Sequence, residues 1–368
     1  MLNLPDIPTL GLCSVLASLA FLGVFVFLWV GRRDESHLLH WAASSLIYAL
    51  ALLAFASVTG PSLVIGLLYG ALSASTLAVL TGVRRFDGLP PFRPWLLLPV
   101  LFSCLGYGLP ALAFGVDSPA SRIGGTVGSI VTMLVVGLSL TLGRAPQPSR
   151  GRRIAGAALL VYVPSFLVAI AAEAVGGSSV NMAALVPLLA DQVLLAVLNL
   201  GLIAMPGERA QAALRDAALR DPLTGAWNRA GLRALEAPRL RPGTAVIVLD
   251  IDHFKDLNDR HGHALGDQVL RALAGCIRGI VPEPDAFLAR LGGDEFVMIV
   301  PDRSPAEACW LADEIRHATQ RVPDLPAWTI SLGIATVEPG EADFAAAIER
   351  ADRSLYRAKA EGRDRAAA

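Results

Sequence analysis

Seven long apolar runs dominate the first part of the chain, at roughly residues 9–30, 40–58, 61–82, 95–115, 123–142, 154–174 and 182–205, with short polar segments between them. About 20 apolar residues in a helix are needed to cross the hydrocarbon of a bilayer, so each run predicts a membrane-spanning helix. The second run is short and its connection to the third, around Gly60-Pro61, is tight, which leaves six spans as the alternative. After residue 205 the pattern changes. Residues 206–220, PGERAQAALRDAALR, favour helix, with Leu214 and Ala218 four apart on one face. Pro206 and Gly207 are expected to mark the exit from the apolar region. From Asp221 onward apolar strands alternate with helices: a strand at 245–249, a helix at 264–280 and strands at 286–291 and 296–300 joined by a tight turn at Gly292-Gly293. A helix at 305–320, a strand at 328–335 and a helix at 343–360 follow. Strands interleaved with helices predict a layered α/β domain. The expected organisation is an all-α polytopic region (1–205), a helical linker (206–220) and an α/β domain (221–368).

Composition sharpens this division. Of the 368 residues 54% are hydrophobic and 17% charged, too apolar for an ordinary soluble chain. Before Pro206 there are seven acids, ten Arg and no Lys; the remaining 25 acids and 21 bases fall in the last 163 residues. A net charge of -1 and the lack of a long basic run give no sign of nucleic-acid binding. Cys13, Cys104, Cys276 and Cys309 are scattered, so neither a zinc motif nor a disulfide framework is expected. Arginine sets the orientation. Arg32, Arg33, Arg84, Arg85, Arg93, Arg144, Arg150, Arg152 and Arg153 fall in alternate loops, and the other loops hold only Arg122. With seven spans the N-terminus lies outside and residues 206–368 are cytoplasmic. Glu173, Asp191 and Asn199 fall within spans. Glu173 lies near the outer end of its span, where solvent can reach it. Asp191, near the middle of the last span, suits either a protonated or hydrogen-bonded packing residue or part of a signal site whose state passes down the last helix.

Three clusters in the second part carry chemistry. Asp250-Ile251-Asp252-His253-Phe254-Lys255, running on to Asn258 and Asp267, puts acids at the end of a buried strand, a common place to hold a divalent ion. Arg290-Leu291-Gly292-Gly293-Asp294-Glu295-Phe296 joins a glycine turn to two acids, and the missing Cβ atoms would let phosphates approach. Tyr356 to Arg363 places Lys359 and Arg363 four apart at a helix end, where they could clamp phosphates or simply offset the helix dipole.

Taken together with the opening stretch Asp221-Pro222-Leu223-Thr224-Gly225, the segment TISLGIA (Thr329 to Ala335) and the ending ADRSLYRAKAEGRD, these clusters resemble the GGDEF family of diguanylate cyclases over residues 221–364. The resemblance implies a nucleotide-cyclase-like palm with a central, mainly antiparallel sheet flanked by helices. It further implies condensation of two GTP into cyclic di-GMP by a homodimer, with downstream cyclic di-GMP receptors as eventual partners. Asp250, the carbonyl of Ile251, Asp294 and Glu295 would hold Mg2+ or Mn2+, with Glu295 able to assist hydroxyl deprotonation. Asn258 and Asp267 would read guanine. Lys255, Lys359 and Arg363 would hold the triphosphate, and Phe254, Gly292 and Gly293 would line the nucleotide. The family's RxxD product-inhibition motif is missing, because its Arg position is Glu283 and its Asp position is Ala286. The resemblance leaves a second reading, a silent module that binds GTP or cyclic di-GMP. The family's acids are all retained here, which favours turnover. The lipid bilayer is the expected partner of the first part.

Overall fold

The computed structural model describes residues 6–58, 62–143, 149–175, 182–323 and 325–368. The connection at Gly60-Pro61 and the loop position Arg144 lie outside them. The chain forms two compact units divided between Ala210 and Gln211.

The first unit contains α1 (Ile7–Gly31), α2 (His37–Ser57), α3 (Val64–Phe86), α4 (Leu97–Phe114, entered through a 3-10 turn at Pro94–Leu96), α5 (Pro119–Leu142), α6 (Arg150–Val175) and the apolar part of α7 (Met182–Leu219). Among the described residues, seven helices are long and apolar enough to cross a membrane. Their outer faces carry exposed Leu12, Phe27, Leu67, Leu101, Leu112 and Leu142. Phe25, Trp41, Val83, Leu140, Leu202 and Met205 form an inner core. Small residues let the helices come close: a Cβ on Gly106 would strike the backbone of Gly124, and one on Gly128 would strike Ser103. Glu173 is not left to solvent, since the Arg122 guanidinium pairs with it.

Pro206 and Gly207 do not end a helix. The helix α7 continues through both to Leu219, although Pro206 cannot donate to a carbonyl one turn back. Groups just past Pro206 are held by their neighbours. The Glu208 carboxylate accepts from the backbone N–H of Arg150 (2.9 Å) and Gly151 (3.1 Å), satisfying otherwise unpaired donors at the start of α6. Arg209 lies 3.5 Å over the Phe86 ring and donates to the Phe86 carbonyl at the end of α3. The buried Arg152 guanidinium pairs with Asp87 at 2.6 Å and also reaches the carbonyls of Ser139 and Leu140.

The second unit is built on five strands, β1 (Ala245–Ile251), β2 (Phe287–Gly292), β3 (Glu295–Val300), β4 (Ile330–Thr336) and β5 (Ala366–Ala367), in the order β2-β3-β1-β4-β5. All pairings are antiparallel except the short β4–β5 pair, so the sheet is mixed. Its other helices are α8 (Arg229–Arg239), α9 (Phe254–His261), α10 (His263–Ile280), α11 (Pro305–Thr319) and α12 (Ala345–Ala360). The alternation along β1 separates two cores. Ile247, Leu249 and Ile251 face α10 and α11, through Leu273, Ile277, Leu311 and Ile315. Val246 and Val248 face α8 and α12, through Leu232, Phe344, Ala351 and Leu355. Gly333 in β4 lets α12 lie directly on the sheet, because a Cβ there would meet the backbone of Ala351 and Leu355.

Candidate active site

The site grows from the end of the central strand. Asp250 follows the all-apolar run Ala245–Leu249 and continues the side of β1 that faces α12. Opposite it stand Glu295 on β3 and Ser331 on β4. Directly opposed residues of antiparallel strands project from the same face, so Asp250 and exposed Glu295 share a side. Asp294 lies in the two-residue turn between β2 and β3. Gly292 belongs to β2 and not to the turn itself, and a register shift between Arg290 and Gly292 kinks the strand there. Gly293 has φ +54 and a Cβ on it would meet nothing. Backbone conformation therefore accounts for glycine at this position.

Charge is concentrated here. Burial pushes the Asp250 carboxyl above its ordinary range, Lys359 opposes that shift, and the nearby Asp294 and Asp252 charges add to it. Lys359, in the last turn of α12, brings Nζ to 2.8 Å from Asp250 Oδ1. Its ammonium stands in for a cation on a carboxylate crowded by other acids, so this donor set suits a hard divalent ion. Among the described residues no group of three or more His, Cys, Asp or Glu is already gathered for a metal. The acids present would have to close around an ion.

The two acids flanking Ile251 have separate tasks. Asp252 is buried and accepts from Thr329 Oγ1 (2.7 Å), Ser331 Oγ (2.7 Å) and the backbone N–H of Asp364 (3.1 Å). It fastens β4 and the C-terminal turn to the end of β1. Nothing in the spacing of the two acids separates an anchor from a site residue.

Beyond β1, His253 takes a left-handed conformation at φ +57 and starts α9. Phe254 packs against the core, while Lys255 is exposed. Gly262, at φ +84, closes α9 and opens α10, turning the chain so that Asn258 and Asp267 lie on either side of it. Gly266 makes room for this arrangement, because a Cβ there would strike the Asn258 side chain. Asn258 Oδ1 is buried and makes no hydrogen bond among the described residues, an acceptor without a donor. Asp267 is half-buried.

Arg363 does not share a helix face with Lys359. The helix α12 ends at Ala360, and Arg363 sits in the following turn at φ +61 with its N–H on the Ala358 carbonyl. Gly362, at φ +115, is what breaks the helix.

The opening motif is a fastening. Asp221 accepts from Thr224 N–H (2.9 Å) and Thr224 Oγ1 (2.6 Å), and Arg290 pairs with it at 3.1 Å. Burial works against its charge, but the Thr224 bonds and Arg290 prevail and hold the carboxyl below its ordinary range. Glu283, in place of an inhibition-site arginine, receives Arg220 NH1 and NH2 at 3.0 and 3.1 Å and the Trp227 indole N–H at 3.0 Å. Arg220 also lies 4.0 Å over the Trp227 ring. Ala286 is buried in the core.

Residues 218–365 match the family described as "Diguanylate cyclase, GGDEF domain". Diguanylate cyclase DgcP of Pseudomonas aeruginosa is 45% identical over 162 residues, which cover 41% of this chain and 24% of that protein. The probable diguanylate cyclase DgcF of Escherichia coli K12 is 36% identical over 169 residues, covering 41% of this chain and 53% of its own. The chain thus spans between about a quarter and about half of the length of these curated relatives. Among solved structures, the coiled coil and GGDEF domain of DgcB from Caulobacter crescentus, in complex with c-di-GMP, is 34% identical. That similarity covers 44% of this chain and 90% of the DgcB chain, with a TM-score of 0.39.

Proposed function

Residues 218–365 are a GGDEF domain of the diguanylate cyclase family, and from that premise we propose that the protein condenses two GTP into cyclic di-GMP and two pyrophosphates at the cytoplasmic face of a bacterial inner membrane. The observation that carries this reading is the acid-lined end of β1, where Asp250 lies opposite Glu295, is crowded by Asp294 and is met by Lys359 at 2.8 Å.

Each domain binds one GTP. Asn258 and Asp267 read the base: the Asp267 carboxylate accepts from N1–H and the 2-amino group of guanine, and adenine offers no such pair of donors. The unpaired Asn258 Oδ1 supports this role, since a buried acceptor without a donor calls for a ligand donor. Lys359 exchanges its carboxylate partner for phosphate oxygens, and Lys255 and Arg363 hold the rest of the triphosphate. Phe254, Gly292 and Gly293 line the nucleotide. Mg2+ or Mn2+ held by Asp250, Asp294, Glu295 and the Ile251 carbonyl would neutralise the triphosphate and make the α-phosphate a better electrophile. Glu295 takes the proton of the 3′-hydroxyl as that oxygen attacks the α-phosphate of the GTP on a second copy. A new phosphodiester bond forms, the bond to pyrophosphate breaks, and the reciprocal attack closes the ring. A homodimer is therefore required.

The seven apolar helices span the bilayer with the Arg-bearing ends inside, and α7 carries their state to the enzyme. Asp294→Ala in the full chain should abolish GTP consumption while leaving the circular dichroism spectrum unchanged. Product formation at the wild-type rate would contradict the assignment.

A further inference from the structure

Asp191 sits within the last apolar stretch, on α7, and is 3% exposed. The Tyr162 hydroxyl of α6 donates to its Oδ1 at 2.5 Å. Ser14 of α1 and Tyr48 of α2 also face the carboxyl. Among the described residues Oδ2 has no partner in close hydrogen-bond geometry, and the Ser14 and Tyr48 hydroxyls interact with the carboxyl more loosely than Tyr162 does. One turn along α1 from Ser14, Ser18 is fully buried and its Oγ has no hydrogen-bond partner among the described residues. Gln192, next to Asp191, donates to Ser14 Oγ (3.0 Å) and to the Leu10 carbonyl (3.3 Å), which fixes α1 against α7 beside the carboxyl.

Four helices thus bring hydroxyl and carboxylate oxygens to one point inside an apolar bundle. A permanent carboxylate would leave Oδ2 without a close donor in a medium that cannot solvate it. The titratable groups facing Asp191 are Tyr48 and Tyr162, both neutral donors, and no Lys, Arg or His contributes charge to it among the described residues. The deficit at Oδ2 is therefore one positive charge, and the surrounding atoms are hard oxygen donors of the kind that accept a proton or a small alkali cation.

We propose that α1, α2, α6 and α7 enclose a carboxyl-centred site for a small monovalent cation, a proton or a sodium ion, with Asp191 as its charged ligand. Tyr162 holds Oδ1, and Oδ2 takes the cation, assisted by hydroxyls of α1. Because α7 is one helix from this site to Leu219, occupancy of the site is a state of the same element that leads into the GGDEF domain.

The test needs no catalytic activity. The full chain is reconstituted in sodium-free lipid nanodiscs, and infrared difference spectra are recorded between acid and alkaline pH, then on adding sodium at fixed pH. A protonated-carboxyl band is expected that is lost as pH rises and is absent from Asp191→Asn. Loss on adding sodium at constant pH identifies sodium as a competing occupant, and loss with pH alone identifies the proton. Tyr162→Phe, which keeps the carboxyl but removes the Oδ1 donor, must shift the midpoint of the band's titration. No Asp191-dependent band, or one that neither pH nor sodium alters, would overturn the proposal and make Asp191 a fixed packing group.

Discussion

Asp250 and Asp252 stand two residues apart, yet their replacement should have opposite consequences. Asp252→Ala removes the shared acceptor of Thr329 Oγ1, Ser331 Oγ and the Asp364 N–H. Bonds to a charged acceptor contribute about 1.5–3 kcal/mol each, and a buried donor left unpaired costs about 1–3 kcal/mol. Ser331 is fully buried and bears the whole penalty. Thr329 and Asp364 are half-buried and can turn partly to water, so the total is about 3 kcal/mol and not the simple sum. For a unit of this size, 1 kcal/mol corresponds to about 2–4 °C in Tm, which puts the loss at roughly 6–12 °C. Asp250→Ala removes a carboxylate that burial and its acidic neighbours already disfavour. Its Tm should move by less than about 3 °C, while activity disappears. The assay is thermal unfolding of the full chain in detergent, followed as protease resistance of residues 211–368. Asp252→Asn, which keeps one acceptor oxygen, should fall between the two. Equal shifts for Asp250→Ala and Asp252→Ala, or a larger one for Asp250→Ala, would refute this division of labour.

Other expectations follow from the same geometry. Asp221 has a lowered folded pKa, so the stability it lends is complete above its unfolded value near 3.8 and is lost as pH falls through the folded value; acid unfolding curves of Arg290→Ala should show a shallower loss over that range. Asp267→Ala and Asn258→Ala should weaken GTP use and relax discrimination against ATP by on the order of 1–3 kcal/mol each, and Gly266→Ala, by displacing Asn258, should reproduce the second effect in competition assays. With Glu283 engaged by Arg220 and Trp227 and with Ala286 buried, added cyclic di-GMP should inhibit only by competition, and inhibition that saturating GTP cannot relieve would reveal a separate product site. A reporter active only in the cytoplasm should be active when fused after Arg153 and silent after Ser178, and the reverse pattern would overturn the seven-span topology.

The long apolar helices were legible because hydropathy over about 20 residues leaves few other structures open to the chain. The central strands were legible because AVIVL and FVMIV are apolar and β-branched beyond what a helix of that length would carry. Features that depend on contacts between distant segments were not. Residues of α9 bury nothing completely, so no apolar period announces that helix. Continuity of α7 through Pro206 is accompanied by Glu208 on the first turn of α6 and Arg209 on Phe86, more than 50 and 120 positions away in the chain. The site acids were visible as residue types at a strand end. The anchoring role of Asp252 required Ser331, 79 residues later, and the need for glycine at 266 appears only once Asn258 lies against it. Helix spacing from Lys359 does not reach Arg363, because α12 ends at Ala360 and the left-handed turn at Gly362 intervenes.

The central claim is that this acid-lined end of β1 joins two GTP molecules across two copies of the chain. Its most direct test is product analysis on the full chain in nanodiscs with GTP and Mg2+, with nucleotide and pyrophosphate measured together. Cyclic di-GMP with two pyrophosphates per product, lost in Asp294→Ala, is the predicted result. Release of GDP and phosphate, or binding of GTP without any pyrophosphate, would contradict it.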